Sequence, residues 1–304
     1  MTALRRLSPT GPVAIGLCYA MAAILIWTGF ILVSRAGTLA ALGMTDMLAI
    51  RFGTAVLLLI PLAWLKRQQL FNVRILVLGL VGGLGYGCFV YSGFERAPAT
   101  HAALLLPGLM PITIALAATA FAGERKAAKV WRGILISSSG ILILLAETLA
   151  TSAQYWTGDL YFVLACLCWA LYTALLRAWA LDPWTATVGV VVVTAMLYLP
   201  VYMTLLPTSL ADVSWTMLLS QGLYQGVLAT IVQMICYVRA VQLLDATRMG
   251  ALMALVPVLS AGLAVPLFGE QITPGLLLGM TLVLAGSVMG NMPAGMLGRF
   301  RGKR

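Results

Sequence analysis

The chain has 304 residues, of which 62% are hydrophobic and only 9% are charged, and its mean hydropathy is +1.00. A soluble domain carries about 25% charged residues, so this composition excludes a water-soluble globule and predicts a polytopic membrane protein. The net charge of +10 would suggest nucleic-acid binding in a soluble protein. Here the basic residues sit in short loops, so we expect no nucleic acid, and the anionic inner leaflet of a bilayer is the expected electrostatic partner.

Ten apolar segments follow one another along the chain, each long enough to cross a bilayer as a helix of about 20 residues. They are 13–34, 46–65, 73–94, 99–121, 130–147, 158–178, 184–205, 214–238, 247–267 and 273–291. Arg5 and Arg6 precede the first segment as in a signal peptide, but that segment is long enough to span and further segments follow it. We therefore expect an all-α protein with ten transmembrane helices. The loops between them are too short to hold a soluble catalytic or sensing domain.

The basic residues predict the orientation of these segments. All but three of the 19 lysines and arginines fall in the tails and the even-numbered loops, on one side of a ten-span arrangement. The exceptions are Arg35, Arg51 and Arg96. No lysine or arginine occurs in the loops 148–157, 206–213 and 268–272. Because cytoplasmic loops are enriched in Lys and Arg, we expect both termini, including the basic tail 292–304, in the cytoplasm, with the chain in a bacterial inner membrane.

The two halves of the chain match each other in register, which indicates an internal repeat. At an offset of 142, Gly16, Tyr19, Trp27, Phe30 and Arg35 match Gly158, Tyr161, Trp169, Tyr172 and Arg177. At an offset of 146, Pro111, Gly123, Glu124, Gly133 and Gly140 match Pro257, Gly269, Glu270, Gly279 and Gly286. Each repeat, 13–147 and 158–291, has an odd number of segments, so the second must enter the membrane inverted relative to the first. Inverted repeats are typical of transporters.

These residues carry a resemblance to a known family. The fourth segment of each half contains proline and ends in Phe-Ala-Gly-Glu at 121–124 or Leu-Phe-Gly-Glu at 267–270, and Ile50-Arg51-Phe52 lies early in segment two. The chain thereby resembles, over residues 13–291, the EamA-type transporters of the drug/metabolite transporter superfamily. The resemblance implies two tandem five-helix halves and export of amino acids, metabolites or drugs, with an aromatic amino-acid exporter as the nearest functional analogue. Segment seven has no counterpart of Arg51, so the repeat is weaker there.

Aromatic residues on segments one and six are candidates for a substrate site. Three project from one side of each segment, and they are Tyr19, Trp27, Phe30, Tyr161, Trp169 and Tyr172. Membrane Trp and Tyr usually lie at the interfaces, whereas Trp27 and Trp169 lie near mid-span and would face each other across a pseudo-two-fold axis. We expect Trp27, Trp169 and Tyr172 to line a cavity for an aromatic or apolar solute. Ordinary packing or lipid contact is the alternative.

Prolines interrupt the fourth segment of each half. Pro107 and Pro111 lie in segment four, and Pro257 lies near the middle of segment nine. A proline removes one backbone donor and frees a carbonyl, which is tolerated where protein or a water-filled cavity satisfies that carbonyl. Breaks at corresponding positions of two repeats indicate a substrate site or a gate. A simple packing kink is the alternative.

Polar residues within the segments complete the candidate site. Segment eight carries Tyr224, Gln225 and Gln233, and amides exposed to lipid would be costly, so most should face the bundle interior. There they would bind the ammonium and carboxylate of a substrate, or hydrogen-bond between helices. Tyr86 follows a glycine-rich stretch and is a further lining candidate. His101, the single histidine, is a candidate for substrate binding or a proton-sensitive gate, with ordinary hydrogen bonding as the alternative.

Few charges lie inside the predicted membrane segments. Arg51 lies about one turn inside segment two, and we expect a structural ion pair with Asp46 or Glu95 in preference to a substrate anchor. Glu124 and Glu270 end their segments, and we expect them to cap helices or to join the two repeats.

Two further patterns predict packing. Gly79, Gly83 and Gly87 recur every four residues and predict a close helix contact. The five cysteines lie inside apolar runs, which favours packing over a disulfide framework or a metal cluster.

These features together predict a transporter that exports small organic solutes by alternating access around a central cavity, with aromatic or apolar amino acids preferred. A multidrug or other metabolite exporter is the alternative. A phosphate-bearing substrate would need several buried basic residues, and a small-multidrug-type cation antiporter would need an acidic residue at mid-span; the sequence offers neither. A polytopic membrane enzyme is a second alternative, for which no acid–base or metal constellation is evident. We expect a small-molecule substrate, no catalytic residue, no cofactor or metal, and no obligate protein partner.

Overall fold

The computed structural model describes residues 11–122, 127–151, 153–244, 249, 252–253 and 255–291. Across these residues the chain is helical between short connections, and they contain no strand. The helices are α1 (Pro12–Leu39), α2 (Met44–Leu70), α3 (Val73–Arg96), α4 (Ala99–Ala122), α5 (Ala128–Thr151), α6 (Trp156–Ala178), α7 (Pro183–Leu205), α8 (Trp215–Leu244), α9 (Leu255–Phe268) and α10 (Pro274–Asn291).

Helices α1 to α8 are long and apolar enough to cross a membrane, and α9 and α10 are shorter apolar helices within the ninth and tenth predicted segments. Large apolar side chains cover their outward faces, including Leu57 at 69% and Leu65 at 78% exposure. Such a surface is stable only against lipid, because water would have to hydrate it. The predicted all-α, polytopic membrane fold is therefore confirmed. Glu124 and the tail 292–304 lie outside the described residues.

The helices contact one another in the same pattern in both halves. If α1 to α5 are matched with α6 to α10, the equivalent helices α5 and α10 pack together, and so do α2 and α7. Helix α4 packs on α6 as α9 packs on α1, and α3 packs on α6 as α8 packs on α1. Helix α2 packs on α8 as α7 packs on α3. Exchanging equivalent helices therefore leaves the α5–α10 and α2–α7 contacts as they are and turns each of the other contacts into its counterpart.

Glycines bring α5 and α10 into close contact. A Cβ atom added to Gly133 would lie 2.5 Å from the carbonyl oxygen of Gly286, and one added to Gly140 would lie 2.5 Å from that of Gly279. A side chain at either position would displace the facing backbone. Because Gly133 matches Gly279 and Gly140 matches Gly286, exchange of the two halves converts one contact into the other. That property defines a two-fold contact, and the residue numbers show that the two helices run antiparallel.

Wide turns interrupt the third helix of each half. Residues Gly79–Gly85 of α3 and Gly222–Val232 of α8 are π-helical. The glycine face predicted on α3 is a close contact, since a Cβ atom on Gly82 would lie 2.5 Å from Cδ2 of Tyr172. Departures of this kind from α-helical geometry are frequent at functional sites.

The two ends of the helix bundle differ in charge. One end, here called the acidic end, carries acidic side chains where helices start or finish: Asp46, Glu95, Asp159 and Glu270. The opposite end, here called the basic end, carries the segments 66–74 and 127–132, where helices finish or start, with their lysines and arginines. The membrane-spanning part between the two ends is almost free of charge.

Candidate functional site

A small cavity lies in the middle of the bundle. Its walls come from α1, α2, α3, α6 and α8, and they are formed by Ile26, Trp27, Phe30, Arg51, Tyr86, Trp169, Ala229 and Gln233. The volume open to the centres of water molecules is about 30 Å³. A water molecule needs about 10–15 Å³ by this measure, so the cavity has room for about two or three waters. In this conformation the centre of the bundle is therefore nearly closed.

Aromatic rings dominate the cavity wall. The rings of Trp27 and Trp169 meet edge to face with their centroids 6.4 Å apart. Tyr86, the first residue after the wide turn of α3, lies 5.2 Å from Trp169. Tyr172 packs 5.3 Å from Trp169 and is not among the residues that line the cavity. Contacts between aromatic rings contribute about 0.5–1.5 kcal/mol each beyond their buried area. The structure thus brings the matched tryptophans of the two halves into contact at mid-bundle.

One charged side chain lies in this aromatic wall. The Arg51 guanidinium donates from Nε to the hydroxyl of Thr230 at 3.1 Å and from Nη1 to the hydroxyl of Tyr91 at 3.4 Å. Its carbon lies 5.4 Å from the centre of the Phe30 ring. All of these partners are neutral, and no acidic side chain of the described residues lines the cavity.

The prediction that Arg51 forms an ion pair with Asp46 or Glu95 is wrong. Asp46 accepts hydrogen bonds from Tyr202 at 2.5 Å and from the Ser209 hydroxyl at 2.6 Å, while Glu95 pairs with Arg96 at 2.6 Å. Asp46 precedes Arg51 by five residues, which places it about 7.5 Å nearer the acidic end along the helix axis. Tyr202 of α7 and Ser209 of the connection between α7 and α8 hydrogen-bond the Asp46 carboxylate, so Arg51 remains a cavity residue that the sequence did not predict.

The polar residues predicted on α8 divide into two groups. Gln225 is fully buried; its amide donates to Ser34 at 3.0 Å and accepts from the hydroxyl of Tyr91 at 3.2 Å. Tyr224 donates to the carbonyl of Ile26 at 3.2 Å. These two residues therefore join α8 to α1 and α3 by interhelical hydrogen bonds. Gln233, in contrast, lines the cavity itself.

The three predicted prolines lie within helices. Helix α4 is continuous through Pro107 and Pro111, and Pro257 is buried in α9. A proline removes only one hydrogen bond, which neighbouring helices can compensate inside a membrane protein. The predicted break is therefore not seen in α4, and the departures from α-helical geometry lie instead in α3 and α8. Neither Pro107 nor Pro257 lines the central cavity.

Glu270 joins three helices at the acidic end. Its carboxylate accepts hydrogen bonds from the backbone N–H groups of Ala99 and Thr100 at the start of α4, both at 2.8 Å. Arg35, near the end of α1, places Nε 3.4 Å from the same carboxylate and donates to the carbonyl of Phe94. A carboxylate is stabilised at a helix N-terminus by the unpaired N–H groups there. The expected capping and joining role of Glu270 is thus observed, and we call this group (Arg35, Glu270, Ala99 and Thr100) the acidic-end lock.

His101 lies near the acidic-end lock and outside the central cavity. Its Nδ1 is 2.9 Å from the carboxylate of Asp159, whose side chain is 1% exposed. The His101 ring also packs 5.6 Å from Tyr155. The pair connects α4 with α6, so His101 has an interhelical partner that the sequence did not predict.

At the basic end, Asp182 caps the start of α7. Its carboxylate accepts from the N–H of Thr185 at 2.9 Å and lies 3.4 Å from the ammonium of Lys66. Burial would raise the pKa of this carboxyl, but the hydrogen bonds from Thr185 and Lys66 outweigh it, and the pKa lies below its ordinary value. The contact holds the start of α7 to the end of α2.

Comparison with known proteins supports a membrane transporter. The profile of the EamA-like transporter family matches twice, over residues 14–146 and 156–292. A curated relative, the "Uncharacterized transporter YyaM" of Bacillus subtilis (strain 168), is 28% identical over 179 residues, which cover 54% of this chain and 57% of that protein. The chain thus matches little more than half the length of that relative. A chain of known crystal structure is 20% identical and superimposes with a TM-score of 0.61, covering 95% of this chain and 99% of that one, a likeness of fold.

Proposed function

The chain belongs to the EamA-like transporter family, and from that premise we propose that it exports aromatic or apolar amino acids by alternating access around the central cavity. Membership makes it a multi-pass membrane transporter of small solutes. The observation that carries the finer proposal is the pair of matched tryptophans, Trp27 and Trp169, in contact at mid-bundle. Rings at this depth give an aromatic or branched side chain an apolar surface to pack on.

We propose that each residue near the cavity has a distinct role. Trp27, Tyr86, Trp169 and Gln233 contact the substrate, and Tyr172 supports the ring of Trp169 from behind. Farther away, the other candidates position helices or control their movement. These are Tyr224, Gln225, His101, Pro107, Pro111 and Pro257.

The helix contacts support alternating access. In a transporter built from inverted repeats, the two halves exchange conformations, and this exchange moves the opening from one membrane face to the other. The symmetric glycine contacts between α5 and α10 are those expected if repeats 13–147 and 158–291 cross the membrane in opposite directions. The acidic-end lock is closed in this conformation. With the basic end in the cytoplasm, as we propose for an inner-membrane protein with cytoplasmic termini, the outer face is the closed one.

A substrate panel in proteoliposomes tests the proposal. Purified protein is reconstituted in phosphatidylethanolamine and phosphatidylglycerol vesicles loaded with labelled phenylalanine, tryptophan, leucine or lysine, or with ethidium. We expect phenylalanine, tryptophan and leucine to leave several-fold faster than from protein-free vesicles, and lysine to leave at the protein-free rate. Repeating the assay with an imposed proton gradient measures energy coupling. If no amino acid moves, the proposal fails, and movement of ethidium alone would favour the multidrug alternative.

A further inference from the structure

Arg51 is the charge in the membrane interior that the proposed function has not used. Arginine remains protonated in proteins, and a charge in a low-dielectric interior is costly unless a counter-charge or several hydrogen bonds compensate it. Its partners are the hydroxyls of Thr230 and Tyr91 and the rings of Phe30 and Phe52, at 5.4 and 5.7 Å from the guanidinium carbon. None of these groups carries a negative charge.

Three other cations of the described residues have acidic partners. Arg35 lies beside Glu270 and Lys66 beside Asp182, and Arg96 likewise has Glu95. No acidic side chain in the described ranges lies within ion-pair distance of Arg51. The cavity therefore carries a net positive charge in the part of the chain that the structure describes.

The geometry of Arg51 leaves donors for a ligand. A guanidinium carries five N–H donors, and the hydrogen bonds to Thr230 and Tyr91 use the Nε donor and one Nη1 donor. Within the described residues, Nη2 makes no hydrogen bond to protein. A planar carboxylate can pair its two oxygens with adjacent guanidinium donors.

The rest of the wall fits the remainder of such a solute. Trp27, Tyr86 and Trp169 lie around the same cavity as Arg51, so a solute held by its carboxylate would place its apolar part among their rings. A single guanidinium suits one carboxylate and is too little for a phosphate. Among the described lining residues an ammonium group would find the amide of Gln233, the hydroxyl of Tyr86 and the ring faces, none of which carries a negative charge. A carboxylate should therefore matter more for binding than an ammonium.

We infer that the cavity selects small aromatic or apolar carboxylates, and that Arg51 binds the carboxylate. The inference rests on the proposed function and names the group that the substrate must carry. It also makes the ammonium group of an amino acid dispensable, so aromatic acids without an amine belong to the same substrate class.

Matched competitors test the inference on the unaltered protein. In proteoliposomes that take up labelled phenylalanine by counterflow, the competitors are 3-phenylpropionate, which lacks the ammonium, and phenethylamine, which lacks the carboxylate. We expect 3-phenylpropionate to compete within about tenfold of phenylalanine and phenethylamine to be at least about tenfold weaker than 3-phenylpropionate, the range for one charge-assisted hydrogen-bonded contact. If phenethylamine competes as well as phenylalanine and 3-phenylpropionate does not, the inference falls while transport stands. If phenylalanine itself does not move, the proposed function fails and the inference falls with it.

Variants assign the effect to Arg51. The readout is the ratio of competition by 3-phenylpropionate to that by its neutral amide, 3-phenylpropionamide, because partial misfolding lowers both and leaves their ratio unchanged. We expect Arg51→Gln to reduce this ratio about tenfold or more, Arg51→Lys to retain part of it, and Arg67→Gln at the basic end to leave it as in the wild type. For a variant without measurable uptake, binding of the two competitors to purified protein gives the same ratio. A wild-type ratio in Arg51→Gln would overturn the assignment.

Discussion

Arg35 and Arg51 are both arginines on membrane helices, but the structure gives them opposite surroundings. At the acidic end, Arg35 lies 3.4 Å from Glu270, and the same carboxylate caps α4. In the centre, Arg51 has hydroxyls and aromatic rings as partners. The end of the bundle thus contains the counter-charges for its own cations, whereas the centre leaves one cation for a ligand to neutralise.

This difference separates residues that hold a conformation from residues that hold a solute. A charge with a partner inside the protein stabilises whichever state forms that contact, and both groups must separate when the end opens. A charge without a partner inside the protein is stabilised most when a solute of opposite charge binds to it. The comparison predicts that changes at the centre remove transport or alter its selectivity, while changes at the acidic end alter the balance between conformations.

The largest expected effect is at the centre. Trp169→Ala removes the ring that contacts Trp27, Tyr86 and Tyr172, so we expect export of phenylalanine from cells to fall to background with near-normal abundance in the membrane. Trp215→Ala is the matched control, because this tryptophan is 79% exposed on the outer surface, and its export should match the wild type. Unchanged export by Trp169→Ala would remove that residue from the site.

The acidic-end lock should respond to loss of charge. Glu270→Gln removes the ion pair with Arg35 and weakens the cap on α4, a loss of about 1.5–3 kcal/mol for hydrogen bonds to a charged group. That corresponds to a shift of about tenfold or more toward the state open at this end. The measurement is labelling of Ala229→Cys, in a background without other cysteines, by an impermeant maleimide added outside.

Asp212→Asn is the control for this experiment, since Asp212 lies in the connection before α8 and takes no part in the lock. We expect labelling to rise in Glu270→Gln and to stay constant in Asp212→Asn. If the protein with Glu270→Gln and the protein with the intact acidic-end lock are labelled equally, the ion pair does not hold this end closed.

A smaller effect is expected for the contact between His101 and Asp159. Removing one partner leaves the other buried without its hydrogen bond, which costs about 1–3 kcal/mol. We expect His101→Gln and Asp159→Asn each to lower the thermal midpoint in detergent, and the double variant to lose less than the sum of the two. Strictly additive losses would show that the two side chains are energetically independent.

The last comparison concerns two glycines in helices, and the smallest effect of all is expected for Gly262→Ala. Gly82→Ala places a methyl group against the ring of Tyr172, and such overpacking costs about 1–3 kcal/mol. Gly262→Ala in α9 meets no atom within 4 Å and should stabilise by about 0.5–1 kcal/mol, because alanine favours the helix. Thermal unfolding of both variants checks the difference, and a loss in Gly262→Ala equal to that in Gly82→Ala would contradict the packing described for α3.

The sequence by itself determined the all-helical membrane fold and the family, because composition, apolar runs and repeated residues are local or periodic properties. It also predicted that Trp27 and Trp169 would face each other, since matched positions of a two-fold repeat approach the same axis. The rings of the two tryptophans are in contact. The inverted threading of the two repeats and the cytoplasmic position of both termini stay predictions.

Only the tertiary structure decided which polar side chains reach the cavity. Gln225 and Gln233 lie on the same helix, yet one is enclosed by hydrogen bonds and the other lines the cavity. Gln225 lies within the π-helical stretch Gly222–Val232, and Gln233 follows it directly. The stretch changes the rotation per residue, so a helical wheel with 3.6 residues per turn assigns the directions of the two side chains incorrectly. The interaction partners of Arg51 could not be predicted from the sequence for a related reason. Side chains of α7 and of the connection that follows it satisfy the Asp46 carboxylate, and contacts between residues far apart in the chain follow from packing alone.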